Sequence, residues 1–157
     1  MRILVVSDTH GNQLNLLKAH TAAGTVDAVI HLGDGEADAA LLVELEAVPL
    51  YQVAGNCDCR STAPKELICS WEGCRLLLCH GDRYGVKLGL SHLLDHARAS
   101  GVDAVLYGHT HHALHEQHDR LLVLNPGTLW GRAPFLSYGI LEIENGSIKA
   151  AIQILSD

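Results

Sequence analysis

Residues 102–112 read VDAVLYGHTHH, an apolar run that leads directly into three histidines within four positions. This pattern is typical of a buried strand whose C-terminal end opens into a polar loop. It occurs four more times, and each run ends among His, Asp, Asn and Gly: RILVVSDTH at 2–10, VDAVIHLGD at 26–34, PLYQVAGN at 49–56 and CRLLLCHGD at 74–82. The repetition predicts five strands that each carry polar residues at one end.

Stretches with helical character separate these runs, at residues 12–23, 37–47 and 87–100. The first and third stop at glycines, Gly24 and Gly101, as helices commonly do. Alternation of strand and helix predicts an α/β fold with parallel strands. Because ligands of such sheets bind beyond the carboxyl ends of the strands, we expect all five polar clusters at one edge of one sheet.

The last third of the chain changes to shorter strand-like runs: ALHEQHD, RLLVLN, FLSYGILEIE and SIKAAIQIL. Asn145-Gly146, between the last two, is a strong hairpin signal. We expect these runs to be antiparallel strands that extend a second sheet. With 157 residues and no visible linker or repeat, the chain is predicted to form a single domain over residues 1–157.

The composition of the chain argues against several classes of function. The net charge of −7, with only 11 Lys and Arg residues, argues against stable nucleic-acid binding and favours a bound cation. Five cysteines, an odd number, fit a reducing cytoplasm. No signal-peptide pattern and no membrane-spanning run is present, so no membrane association is expected. An exposed edge strand or apolar patch could support a homodimer, which the sequence leaves open.

Seven oxygen- and imidazole-bearing side chains lie at the five strand ends: Asp8, His10, Asp34, Asn56, His80, His109 and His111. Singly, such residues often cap helices or form buried hydrogen bonds. Together they suffice for two cations if one carboxylate is shared. Mixed nitrogen and oxygen ligands suit Mn, Fe, Zn, Co or Ni better than Mg or Ca. We expect His109 and His111 to face the site together, as alternate residues of an extended segment do.

The ordered motifs DTHGN, GD, GNCD, HGD, GHTH and NPGT (residues 125–128) closely resemble those of the calcineurin-like metallophosphoesterases, in particular the small YfcE-like phosphodiesterase branch. The resemblance implies a four-layer α/β/β/α sandwich of two mixed sheets flanked by helices. It also implies a binuclear metal centre in which Asp34 bridges two cations. One cation would be held by Asp8, His10 and His111, and the other by Asn56, His80 and His109.

The expected function is hydrolysis of a small or exposed phosphodiester by a hydroxide that bridges two divalent metal ions. Manganese is the expected metal, with Fe, Zn, Ni, Co and Mg as alternatives. Two other functions stay open: a metal-binding interaction scaffold of the same fold, as in the retromer subunit of this superfamily, and a phosphomonoesterase. The full ligand set favours catalysis over the scaffold.

Several further residues have expected roles. Larger superfamily members carry His where this chain has Cys57, so we expect Cys57 near the leaving group and weak activity on alkyl esters. Asn12 and Asn56 could contact the substrate phosphate, although Asn12 could instead cap the first helix. His31 is expected to pack in the core or, alternatively, to orient Asp34. NPGT is expected to form a turn beside the metals without a catalytic role. Asp82 stands where relatives often have His.

Overall fold

The computed structural model describes residues 1–156 and contains two five-stranded mixed sheets. The first sheet has the strand order β10-β9-β1-β2-β3. Its strands β1, β2 and β3 are parallel to one another, and β9 pairs antiparallel with both β1 and β10. The strands of this sheet are β1 (Arg2–Val6), β2 (Ala28–His31), β3 (Leu50–Gln52), β9 (Ser137–Glu144) and β10 (Ser147–Ile154).

The second sheet has the order β4-β5-β6-β8-β7. Its three central strands are parallel, and an antiparallel strand closes each edge. The strands are β4 (Glu66–Trp71), β5 (Cys74–Cys79), β6 (Ala104–Leu106), β7 (Leu114–His118) and β8 (Leu121–Asn125). A short 3-10 helix, Asp82–Tyr84, follows β5.

The two sheets face each other across the main core, and helices cover their outer faces. In β1, Ile3 and Val5 point into the core between the sheets, whereas Leu4 and Val6 pack outward against helices α1 (Gln13–Ala23) and α2 (Glu36–Glu46). Helix α3 (Ser91–Ala99) covers the second sheet. Both faces of the central strands are therefore apolar, which is why these strands read as continuous hydrophobic runs. The predicted α/β/β/α sandwich is confirmed.

Two sequence-based expectations about the sheets are wrong, and one strand was not predicted. The polar clusters end strands of two sheets rather than one, because β5 and β6 belong to the second sheet. The C-terminal strands divide between the sheets: β9 and β10 extend the first, and β8 is parallel to β6 in the second. Strand β4 was not predicted, because its alternating and mostly partial burial at the edge of the sheet produces no continuous apolar run.

The helices begin and end close to the predicted positions. Asn12 caps α1, since its Oδ1 accepts a hydrogen bond of 3.0 Å from the backbone N–H of Asn15. Helix α3 starts at Ser91 instead of residue 87, after the loop that follows the 3-10 helix. Within residues 1–156, no helix combines the length and the apolar character that a membrane span requires.

Candidate metal centre

The loops at the ends of β1, β2, β5 and β6 meet at one end of the sandwich. Backbone hydrogen bonds join the first two loops, from Asp8 N–H to the Gly33 carbonyl (3.0 Å) and from His10 N–H to the Asp34 carbonyl (2.9 Å). In the second sheet, Gly108 N–H donates to the carbonyl of His80 at 3.0 Å. Parallel strands in both sheets thus bring their polar ends to a common site.

One cluster at this site consists of Asp8, His10 and His111, whose ligand atoms all lie within 4.8 Å of one another. His111 Nε2 is 3.1 Å from Asp8 Oδ1 and 3.3 Å from His10 Nε2. Asp8 Oδ1 is buried and has no hydrogen-bond partner of acceptable geometry among the described residues. A buried carboxylate oxygen without a partner is costly, and a cation would satisfy it. The cluster fits a divalent ion.

A second cluster consists of Asp34, His80 and His109, whose ligand atoms also lie within 4.8 Å of one another. His80 Nε2 is 3.4 Å from Asp34 Oδ2 and 3.2 Å from His109 Nδ1. Asn56 belongs to the same group, because its Oδ1 is 3.1 Å from His80 Nε2.

The orientation of His80 suits a metal ligand. Its Nδ1 lies 2.7 Å from the carbonyl oxygen of Leu32, a group that can only accept a hydrogen bond. Nδ1 therefore carries a proton, and in the neutral ring the lone pair is on Nε2, which faces the cluster. A second hydrogen bond that fixes the tautomer in this way is common among metal-binding histidines.

Asp34 lies between the two clusters. Its Oδ2 is 3.4 Å from His80 Nε2 and 3.9 Å from His10 Nε2, so one carboxylate oxygen faces both groups. Its other oxygen accepts a hydrogen bond of 2.7 Å from the backbone N–H of Cys57. This position is suited to a carboxylate shared by two cations.

The electrostatics of the site keep the carboxylates charged. Burial acts to raise the pKa of Asp34, but His80 and the N–H of Cys57 outweigh it and hold the pKa well below the usual value. The pKa of Asp8 is also lowered, because contacts with His111 and His80 outweigh its burial. The pKa of His80 is raised, since Asp34 and Asp8 outweigh the effect of burial. Two anionic carboxylates near neutral pH favour cation binding.

Asp58 organises two of the loops, a role that the sequence reading missed. Its carboxylate accepts four backbone N–H hydrogen bonds of 2.7–3.1 Å, from Asp34, Gly35, Glu36 and Gly55. These donors outweigh burial and lower the pKa of Asp58. Asp58 is the last residue of the GNCD motif, and that motif was the available signal. The Asp58 carboxylate holds the Asp34 loop against the loop that carries Asn56.

A buried network supports the first loop. Thr9 donates to Asp38 at 2.6 Å and lies 3.2 Å from His31 Nε2, and Asp38 also accepts the N–H of Gly11 at 2.8 Å. His31 is fully buried, and burial lowers its pKa. It contacts Thr9 and Gly33 rather than Asp34, so core packing, the preferred interpretation, describes it better than orientation of that carboxylate.

The NPGT segment forms the turn expected beside the site. Asn125 Nδ2 donates to the Gly108 carbonyl and to Thr110 Oγ1, both at 3.0 Å. Thr128 Oγ1 donates to the carbonyl of Asp8 at 2.8 Å. The segment is therefore hydrogen-bonded to both the β1 loop and the β6 loop.

His109 and His111 both face the site, but the expected reason is wrong. Their φ angles of 67° and 61° place them in the left-handed region, so the segment is not extended. A backbone hydrogen bond from Thr110 N–H to the Gly108 carbonyl (2.8 Å) forms a tight bend instead. The bend directs His109 to the second cluster and His111 to the first.

Cys57 is exposed at the rim of the site. Its Sγ lies within 4.8 Å of ligand atoms of His10 and Asp34 and is 3.3 Å from Asn56 Nδ2. Partial burial and the neighbouring Asp34 carboxylate raise the pKa of the thiol to about 11, so the thiol is protonated at neutral pH. Its predicted position beside the leaving group, and the substrate contacts predicted for Asn12 and Asn56, stay predictions.

A two-sheet sandwich with histidines and carboxylates gathered at the strand ends defines a class of candidate metal-dependent hydrolases. Residues 1–146 match the sequence profile of the calcineurin-like phosphoesterase superfamily domain. The chain belongs to this superfamily.

Individual relatives agree with the assignment. The chain is 35% identical over 153 residues to the probable metallophosphoesterase YsnB of Bacillus subtilis, covering 92% of this chain and 86% of YsnB. It is 30% identical over 172 residues to a phosphodiesterase of Methanocaldococcus jannaschii, covering 97% and 99% of the two chains.

Solved structures share the fold. A conserved protein of Streptococcus pneumoniae TIGR4, described as a predicted phosphoesterase, superimposes with a TM-score of 0.81 at 27% identity, covering 98% of this chain and 88% of that one. Vps29 of Entamoeba histolytica gives a TM-score of 0.79 at 21% identity, covering 99% and 100% of the two chains, a likeness of fold alone.

Proposed function

We propose that this protein is a phosphodiesterase that holds two divalent cations between the seven side chains of the candidate metal centre and hydrolyses a small phosphodiester. The observation that carries the proposal is the position of Asp34, whose Oδ2 lies 3.4 Å and 3.9 Å from histidines of the two separate clusters. Nitrogen and oxygen donors in this mixture suit manganese, which we take as the native metal, with Fe, Zn, Ni, Co and Mg as alternatives.

Two bound cations would supply Lewis acidity and lower the pKa of a water molecule for in-line attack on phosphorus. The residues of the chain have complementary tasks. Asp8 and Asp34 supply negative charge for the cations, and the Leu32 carbonyl orients His80 for coordination through Nε2. The amide of Asn12 or Asn56 can donate a hydrogen bond to a nonbridging phosphate oxygen. The protonated thiol of Cys57 faces the same rim.

A diester is the preferred substrate for two reasons. One curated relative, 30% identical over nearly its whole length, is named a phosphodiesterase. The second reason is Cys57, which stands where larger superfamily members carry a histidine. A neutral thiol stabilises the second negative charge of a monoester less well than an imidazolium does.

Hydrolysis by the metal-loaded protein tests the proposal. We expect protein stripped of metal and reloaded with Mn²⁺ to hydrolyse bis(p-nitrophenyl) phosphate faster than p-nitrophenyl phosphate. Asp34→Asn removes the shared charge and should reduce both the rate and the metal content, the rate on the order of 100-fold or more, since even supporting residues of metal sites cost 10–100-fold. His115→Ala, at an exposed position on β7, is the control and should change neither quantity.

Three results would contradict the proposal. Wild-type activity in Asp34→Asn would exclude a bridging role for that carboxylate. A faster reaction with the monoester would identify a phosphomonoesterase. Binding of two metal ions without hydrolysis of either ester would favour the interaction scaffold.

A further inference from the structure

Trp130 lies at the rim of the candidate metal centre, on the side of the Asp8–His10–His111 cluster. Its ring centroid is 5.5 Å from that of His10 and 5.8 Å from that of His111. The interplanar angles of 60° and 74° show that neither imidazole is stacked parallel to the indole. Trp130 is partly exposed. A large aromatic surface therefore adjoins the place where a phosphoester would bind.

Packing of the core does not account for an indole at this position. Leu129, the preceding residue, is fully buried against the cluster that packs on α1. Trp130 belongs to none of the three apolar clusters formed by the described residues, either as a buried member or as a partly buried neighbour. The aromatic rings beside its indole are the two imidazoles of His10 and His111. Aromatic side chains placed outside the core and beside a polar site are typical of ligand-binding surfaces.

The backbone holds Trp130 in a fixed relation to the candidate ligands. Thr128 Oγ1 accepts a hydrogen bond of 3.0 Å from Trp130 N–H and donates one of 2.8 Å to the Asp8 carbonyl. The carbonyl of Trp130 accepts the N–H of Ala133 at 2.8 Å, which closes a turn with the exposed Arg132 in it. The backbone that carries the indole is therefore already positioned, which limits the ordering entropy lost when a ligand binds.

We propose that Trp130 stacks on a nucleobase, and that the substrate is a small phosphodiester with a nucleoside as one of its ester groups. The inference rests on the proposed function, because the nucleoside is placed by a phosphate at the metal centre. An indole favours planar rings over flexible alkyl groups, because a nucleobase can stack on the face of the indole. Arg132 is exposed in the same turn and is one of 11 Lys and Arg residues in a protein of net charge −7.

Calorimetric titration of the Mn²⁺-loaded protein with two product-like ligands tests the proposal. Adenosine 5′-monophosphate and ribose 5-phosphate share the phosphate and the sugar and differ in the base. We expect the nucleotide to bind about 10-fold more tightly, in line with stacking on one aromatic ring. In Trp130→Leu the two affinities should become nearly equal, and Trp130→Phe should keep part of the difference. The ratio of affinities isolates the base, because a change in metal occupancy affects both ligands alike.

Phe135→Leu is the matched control, since Phe135 is 75% exposed on the same loop and makes no ring contact with the candidate ligands. It should leave the ratio unchanged. Tryptophan fluorescence of the wild type gives a second measurement that does not depend on a variant that folds poorly. The nucleotide should quench the emission, and ribose 5-phosphate should not.

Equal affinities in the wild type, an undiminished ratio in Trp130→Leu, or no quenching specific to the nucleotide would overturn the proposal. Failure of the proposed function gives a different result. If the protein hydrolyses no diester but Trp130 still discriminates the two ligands, the nucleobase site stands and the phosphodiesterase assignment fails. If the protein hydrolyses diesters but binds the two ligands equally, the phosphodiesterase assignment stands and the nucleobase site fails.

Discussion

Five of the seven candidate ligands adopt left-handed backbone conformations, with φ between 47° and 67°: Asp8, His10, Asp34, His109 and His111. This conformation costs an L residue about 1–2 kcal/mol relative to the right-handed helical conformation. It persists only where the surroundings enforce it, and it concentrates at functional sites. Strained residues gathered at the strand ends are consistent with the ligand role proposed for their side chains, and the supporting hydrogen bonds hold them in place.

Asp58 supports two of these loops through four backbone hydrogen bonds, and its loss is predicted to destabilise the protein. Asp58→Asn removes the charge that accepts four backbone N–H groups, so we expect the free energy of unfolding at pH 7 to fall by about 2 kcal/mol. Because the pKa of Asp58 is lowered in the folded protein, its contribution is present above the unfolded pKa of about 3.9 and is lost as the pH falls through the folded value. Urea denaturation at pH 7 and at pH 3 measures both effects.

The gap between wild type and Asp58→Asn should narrow at pH 3, because this pH lies below the unfolded pKa of about 3.9 and protonation of Asp58 in the unfolded chain reduces the stabilisation. Asp95→Asn is the control, since the Asp95 side chain is 80% exposed and its contact with Arg98 is a surface pair. It should change stability little at either pH. A gap between wild type and Asp58→Asn that stays constant with pH would show that the charge of Asp58 is not what stabilises these loops.

At the scale of elements, the close approach of the β1 and β6 loops joins the two sheets at the site. A Cβ atom added to Gly108 would lie 1.9 Å from Ser7 Oγ and 2.8 Å from Asp8 Oδ2. Ser7 in turn donates to Asp8 Oδ2 at 2.5 Å. Only glycine therefore allows the strand end of the second sheet to reach the carboxylate of the first.

Gly108→Ala is predicted to separate the two loops while the sandwich stays folded. We expect Mn²⁺ affinity to fall at least about 10-fold, because His109 and His111 follow Gly108 and the disturbance is comparable to loss of a supporting residue. Mn²⁺ titration measures the affinity, and circular dichroism checks the fold. Gly131→Ala is the matched control: its Cβ would meet Asn12 Nδ2 at 2.4 Å, the end of a side chain that can turn aside. Equal Mn²⁺ affinity in the two variants would contradict the account.

The elements differ in how far the sequence determines them. Strands β1, β2, β5 and β6 could be predicted because burial on both faces leaves continuous apolar runs, and Asn145-Gly146 correctly marks the β9–β10 hairpin. Which strands belong to which sheet could not be predicted, because the pairing of β9 with β1 joins segments more than 130 residues apart, and no local pattern encodes it. Edge strand β4 lacks the apolar run altogether.

At the scale of the whole molecule, the site is a property of the assembled sandwich. The seven candidate ligands were conspicuous in the sequence as polar residues that follow apolar runs, and the structure brings them together. Their role as ligands stays a prediction. The supporting roles of Asp38 and Asp58 were not predicted, because they depend on donors such as the N–H of Gly11 and of Asp34 that only the folded loops bring to these carboxylates. Trp130 likewise acquires a role only beside His10 and His111.

Electron paramagnetic resonance during Mn²⁺ titration tests most directly whether two cations share Asp34. Cations that share a carboxylate lie about 3.5–4 Å apart, close enough for magnetic exchange coupling. We predict binding of two Mn²⁺ per chain with the spectrum of a coupled pair, and loss of the coupled signal in Asp34→Asn. A saturated wild-type protein that shows only the six-line spectrum of isolated Mn²⁺ would contradict the shared centre.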